Sequence, residues 1–181
     1  MSVYSLSRWS GALMVLVFGI LTACSPALNW REVVNNDFQF VATFPDKPVQ
    51  VTRTLDLAGH SVPLTLQAAT AKNIYFAVGV VELKGPLAGE GESLKAAFSK
   101  ALANNVKVSE VQSQMKPWAG LERVDWVELA GQLPDGKPAR AVGRFFIVNN
   151  HLIEVLLVGP TDQVDTGTEK QWLTGFRLLG L

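Results

Sequence analysis

The chain is poor in the residues that carry most catalysis and most covalent cross-linking. It has one cysteine, Cys24, in 181 residues, so no disulfide can form within it. It has two histidines, His60 and His151, a thin supply for zinc, which takes three or four ligands from His, Cys or carboxylate side chains. Neither sign of charge dominates: 16 Lys+Arg stand against 16 Asp+Glu, scattered singly. There is no basic block of the kind that tracks a phosphate backbone, which argues against nucleic acid as a partner. Also missing is an uninterrupted apolar run of about 20 residues, the length needed to cross a hydrocarbon core about 30 Å thick. No internal repeat and no low-complexity tract is visible.

What is present begins at the start. Arg8 precedes residues 11–21, which are uncharged and mostly apolar, and no further charge falls before Arg31. A charged start, a short apolar segment and small residues before a cleavage point define a secretory signal. The segment ends Leu21-Thr22-Ala23-Cys24, which resembles the lipobox of bacterial lipoproteins. That resemblance implies a diacylglyceryl group on the Cys24 sulfur, cleavage before Cys24 and acylation of the new amino terminus. Ser25 rather than Asp follows the cysteine, which in lipoproteins of enteric-type bacteria implies export to the outer membrane. Two alternatives stay open, an uncleaved transmembrane anchor and an ordinary secretory signal. Pro26 and Asn29 inside the uncharged span count against the first. A cysteine with no internal partner at this one position counts against the second.

The implied organisation is a signal peptide over 1–23, a lipidated tether over 24–29 and one domain over 30–181. Without Arg8 the rest carries 15 basic residues against 16 acidic ones. A domain of this size buries about 68–70% of its unfolded surface, so it needs neither disulfide nor metal, and no cofactor is expected.

Period-2 alternation reads as strands over 30–34, over 38–44 with Phe38, Phe40 and Phe44 on one face, and over the runs ending at Ala58-Gly59 and Lys72-Asn73. Residues 74–83 are apolar almost throughout, the mark of a strand covered on both faces. Short connections make these neighbours antiparallel, a meander. After a loop over 84–91, Leu94, Ala97, Phe98, Ala101 and Leu102 fit the spacing of a core-facing helix, with Lys95, Ser99 and Lys100 expected on the other side and Asn104-Asn105 as a stop. Strands follow over 106–115, 121–129, 139–148 and 151–158. Pro134-Asp135-Gly136 forms one turn and Asn149-Asn150 a two-residue hairpin. Residues 168–176 read as a short closing helix with Trp172, Leu173 and Phe176 inward. The fold class is therefore α+β, an antiparallel sheet with a central amphipathic helix and a short C-terminal helix packed on it.

The Phe-x-Phe-x-x-x-Phe-Pro opening at 38–45, the central helix and the ending Trp172-Leu173-Thr174-Gly175-Phe176-Arg177-Leu178 resemble the PsbP-like fold. Extrinsic photosystem subunits, a Ran-binding family and assorted bacterial lipoproteins share that fold, and its members have no single function.

Three motif matches read as structural. Asp165-Thr166-Gly167 matches the aspartic-protease triplet, but two carboxylates must share a proton there and no second copy exists; Asp165 or Thr166 is expected to cap a helix instead. Ser113-x-x-Lys116 lacks the Ser-Asp-Asn and Lys-Thr-Gly partners of penicillin-binding enzymes. His60 and His151 each sit beside a turn. Trp118, Arg123 and Trp126 are the candidate binding surface, because aromatics and Arg are enriched where proteins bind. No nucleophile, base and orienter arrive together. The reading is a membrane-anchored periplasmic lipoprotein with a non-catalytic binding or accessory role toward an envelope protein or ligand. A carrier of a small apolar ligand or lipid is the alternative, and a hydrolase ranks behind both.

Overall fold

A computed structural model describes residues 28–180. The signal segment, Cys24 and most of the tether lie outside the described residues. Ten strands and two helices follow in order: β1 (Arg31–Asn35), β2 (Phe40–Phe44), β3 (Val49–Leu57), β4 (His60–Ala71), β5 (Ile74–Glu82), α1 (Gly91–Asn105), β6 (Ser113–Trp118), β7 (Leu121–Gln132), β8 (Pro138–Val148), β9 (His151–Pro160), α2 (Thr166–Thr174) and β10 (Arg177–Leu178). The architecture is α+β and mostly antiparallel sheet. Seven strands form one sheet in the order β3-β4-β5-β9-β8-β7-β6, and β1-β2-β10 form a second.

The expected meander is two meanders. The first, β3-β4-β5, ends at β5, and the next strand in sequence lies at the far edge of the same sheet. α1 carries the chain there. Its 15 residues span about 22 Å at 1.5 Å per residue, close to the four strand spacings of about 4.8 Å that separate β5 from β6. The chain then returns strand by strand until β9 pairs with β5.

Each face of the large sheet has its own apolar layer. Leu94, Phe98, Leu102 and Ala103 of α1 pack on Val127, Leu129, Ala141, Phe145 and Leu152. On the opposite face the small sheet and α2 bring Phe40, Phe44, Trp172 and Phe176 onto Phe76, Val78, Val142, Phe146 and Leu157. Trp172 is fully buried between Phe44 and Phe76, with ring centres 5.1 and 5.4 Å away.

Several local expectations change. Lys95 and Ser99 are buried rather than outward, because Lys95 Nζ meets Asp125 of β7 at 3.0 Å and Glu92 at 2.8 Å. A carboxylate on the facing strand turns that side of the helix inward. Residues 106–112 are not a strand. Val106 and Val108 N–H groups bond back to the Ala103 carbonyl, and Gln132 N–H donates to Val106 O at 2.8 Å, so the segment crosses the end of β7 instead of pairing along it. Gly131 permits that approach: a Cβ there would stand 2.0 Å from Val106 O. The loop over 84–91 holds a 3₁₀ turn at Gly85–Leu87. α2 starts and ends two residues earlier than the aromatic spacing suggests, leaving Phe176 beyond it yet buried. Phe38 lies in the turn before β2, its N–H bonded to Asn35 Oδ1 at 3.0 Å.

Candidate functional site

Strand alternation separates the three surface candidates. Along β7, Val124 and Trp126 face the small sheet and α2, while Asp125 and Val127 face α1. Arg123 belongs to the α1 side and is exposed, so it does not share an edge with the tryptophans. Trp118 is half-buried against the core. Its ring stacks on Phe176 at 5.1 Å and 16°, and meets Phe146 edge-on at 6.0 Å. It closes the end of an aromatic layer.

Trp126 has a different setting. The Arg144 guanidinium lies 3.8 Å from its ring centre, and Lys116 Nζ lies 5.1 Å from it. Arg144 stands directly opposite Trp126 in the β7–β8 ladder and is 1% exposed. Its Nη1 donates to the Gly143 carbonyl at 2.9 Å and its Nη2 to Glu128 at 3.3 Å. Arg140 donates to Glu128 at 3.4 Å and to Glu169 of α2 at 2.8 Å. Together they form a ladder of alternating charge joining α2 to the sheet. Burial pulls the Arg144 pKa below its ordinary value, against the pull of Glu128. Its Nε and the Trp126 Nε1 have no protein partner. Gln112, Gln114, Lys116, Trp126 and Glu128 rim a shallow cleft of about 270 Å³.

A cleft with mainly apolar walls lies elsewhere, between β4 and β5 of the large sheet and the turn that precedes β2. It holds about 460 Å³, with walls from Phe38, Pro63, Val80, Pro86 and Leu87, and a rim of Ser61, Thr65, Glu82 and Lys84. Ligand pockets of about 300–1,000 Å³ with apolar walls and a few polar groups are the usual form of a small-molecule site. Lys84 pairs with Glu82 at the mouth and holds that carboxyl below its usual range. The two histidines flank this end of the sheet. His60 Nε2 lies 3.7 Å from Glu90, and His151, paired with Glu82 in the ladder, meets the Phe38 ring edge-on at 5.7 Å. Both are half-buried.

Periodicity gave no sign of Glu154. It is 6% exposed on the α1 face of β9 and is opposed by Gly79. Burial raises its pKa from 4.5 to about 8, so the carboxyl is mostly protonated at neutral pH.

The motif matches resolve locally. Asp165 is the N-cap of α2, its carboxylate accepting from Thr168 N–H at 2.7 Å and from Thr168 Oγ1 at 3.1 Å. The Thr168 N–H, foremost, holds the Asp165 pKa below its usual value. Ser113 opens β6 and is exposed, on a strand and not on a helix. Among the described residues no cluster of three or more His, Cys, Asp or Glu is placed to hold a metal ion, and no helix is long and apolar enough to cross a membrane. No protein-family model matches the chain, and no curated protein matches it in sequence.

Proposed function

We propose that this chain is a lipid-anchored binding module of the cell envelope, held by acyl groups on Cys24 and facing the periplasm, with the outer membrane as its destination. The domain is non-catalytic. It takes an apolar group, from a small ligand or from another envelope component, in the cleft beside Phe38. The observation that carries the binding role is that cleft, with about 460 Å³ of space, an apolar wall and a polar mouth. The engagement of Asp165 as a helix cap supports the non-catalytic reading, since a capping carboxylate is not free to act as a base. The PsbP-like assignment belongs to the same reading. It is supported by the Phe-rich opening strand, the long helix between two antiparallel runs and the short helix near the end.

Two measurements test it. Labelled fatty acid should enter the wild-type chain and not Cys24→Ser; incorporation into the variant overturns the anchor. An apolar fluorophore such as 1-anilinonaphthalene-8-sulfonate should brighten on the folded protein. Phe38→Ala and Thr65→Glu, which remove a wall and add a charge to one, should each weaken that signal. Undiminished binding in both overturns the cleft. Co-purifying lipid in native mass spectra would select the carrier form of the reading over the scaffold form.

A further inference from the structure

We propose that the outer corner of the large sheet around Lys47, Val49, Val51, Arg53 and Tyr75 is the surface on which the domain rests against the lipid membrane. The inference rests on the anchor at Cys24 proposed above and adds an orientation to it.

Exposed apolar side chains stand at this corner among polar and charged ones. Val49 is 69% exposed and Val51 39%, and Tyr75 is exposed beside them. The register places Val49 opposite Ala68, Val51 opposite Leu66 and Tyr75 opposite Thr70. These side chains line one open hollow of about 720 Å³, with Asn105, the last residue of α1, at its far side. α1 ends at this hollow with Asn105. Scattered single apolar residues are normal on a surface, whereas a contiguous patch marks an interaction site.

The charge around the patch selects the occupant. Lys47 and Arg53 line the same hollow and make no ion pair within 4 Å among the described residues. Asp46 is the acidic residue among them. Exposed aliphatic side chains flanked by two cations suit an anionic lipid surface, where each Lys or Arg is attracted to headgroups and the apolar groups enter the acyl boundary.

The tether then fixes the place. Asn29 N–H donates to the Pro45 carbonyl at 2.8 Å, so the chain enters the domain one residue from Asp46-Lys47. Five Cα-to-Cα steps lead from Cys24 to Asn29, and fully extended they reach at most about 18 Å. A domain of about 150 residues has a radius of gyration of about 15 Å. The anchor therefore cannot stand far from Pro45, and the apolar, cationic corner begins there.

The test uses the full chain in membranes from the cells that make it. Val49→Cys and Val51→Cys carry a polarity-sensitive fluorophore, and Met115→Cys carries the same label as a control. Met115 is 52% exposed but lies on β6, the opposite edge of the same sheet. The proposal expects blue-shifted emission at 49 and 51 that nitroxide-bearing lipid quenches, with the label at 115 unshifted and unquenched. It expects the shift to be lost when Lys47→Glu and Arg53→Glu are added. Labels at 49 and 51 as bright and unshifted as at 115, in a chain that still incorporates fatty acid, overturn the orientation and leave the anchor standing. Crosslinking of 49 or 51 to a protein without lipid quenching also overturns it. A chain that incorporates no fatty acid overturns both.

Discussion

The side chain of Glu154 lies across Gly79. A methyl group built on that glycine would stand 2.5 Å from the carboxyl Oε1 and 2.7 Å from Cγ, so the missing side chain on β5 is the space in which the acid is stored. Its pKa, raised from 4.5 to about 8 by burial, makes stability depend on pH. Below about pH 4.5 the group is protonated in both folded and unfolded chains and contributes no difference. Between about 4.5 and 8 the unfolded chain gives up a proton that the folded one keeps, so stability falls as pH rises, by about 3 kcal/mol at pH 7. Glu154→Gln should remove that slope and be the more stable protein at pH 7–8, as read by urea denaturation at a series of pH values. A variant with the wild-type slope would show that another group titrates.

Gly79→Ala should act through the same contact. Oε1 could swing aside, but the clash with Cγ forces the whole side chain to move, and overpacking of this kind costs about 1–3 kcal/mol. Adding Gly79→Ala to Glu154→Gln should cost about as much as Gly79→Ala alone, because glutamine has the same shape; Glu154→Ala should relieve it. A double mutant with Ala at both positions that shows no such relief would mean the contact is not with Glu154.

Arg144 separates charge from volume. Glu128 is 45% exposed and keeps Arg140, so losing Arg144 strands no buried charge and Arg144→Met should stay within about 1 kcal/mol of the wild type, whereas Arg144→Ala, which empties the space under Trp126, should lose about 2–4 kcal/mol. Denaturant midpoints read both, and Trp126 emission should shift in each. Equal losses would show that the guanidinium charge, not its bulk, supports the indole.

Phe98 sits at the middle of the α1 face and is buried. Phe98→Ala should cost about 3–5 kcal/mol. Calorimetry or denaturant unfolding showing a loss below about 1 kcal/mol would place that ring outside the core.

Asp165 should matter for stability and not for function. Asp165→Asn keeps an acceptor for Thr168 N–H and should barely move the melting temperature, while Asp165→Ala should lower it further. Both should restore the phenotype of a strain lacking the gene. A folded, abundant Asp165→Asn protein that fails to do so would reopen the protease-like reading of residues 165–167.

The parts of the fold that were legible are those set by neighbours in sequence. Asn149-Asn150 turns with both φ angles positive, 48° and 60°, as a two-residue hairpin requires, and its flanking strands follow. Leu94, Phe98 and Leu102 gave α1 from their spacing. The burial of Lys95 depends on Asp125, thirty positions away on another strand, which periodicity within the helix cannot register. The β5–β9 pairing is hidden from local sequence for the same reason. The candidate site fared similarly: the two tryptophans share a face, but one residue of parity puts Arg123 on the other. The cleft at Phe38 comes from a turn folding over a distant hairpin, so no run of residues announces it.

The seam between the two meanders bears on how the chain becomes a protein at all. Glu82 meets His151 across about 70 positions of chain, so β5 is complete long before its partner exists. Until β9 arrives, β5 offers an open edge of apolar residues, and such an edge is a template for strands of other molecules. α1 is made next and can cover one flank of it but cannot pair with it. A chain made from its N-terminus would thus spend the emergence of four strands with its stickiest edge bare. The interval between the emergence of Glu82 and that of Pro160 is when aggregation of this protein should be decided.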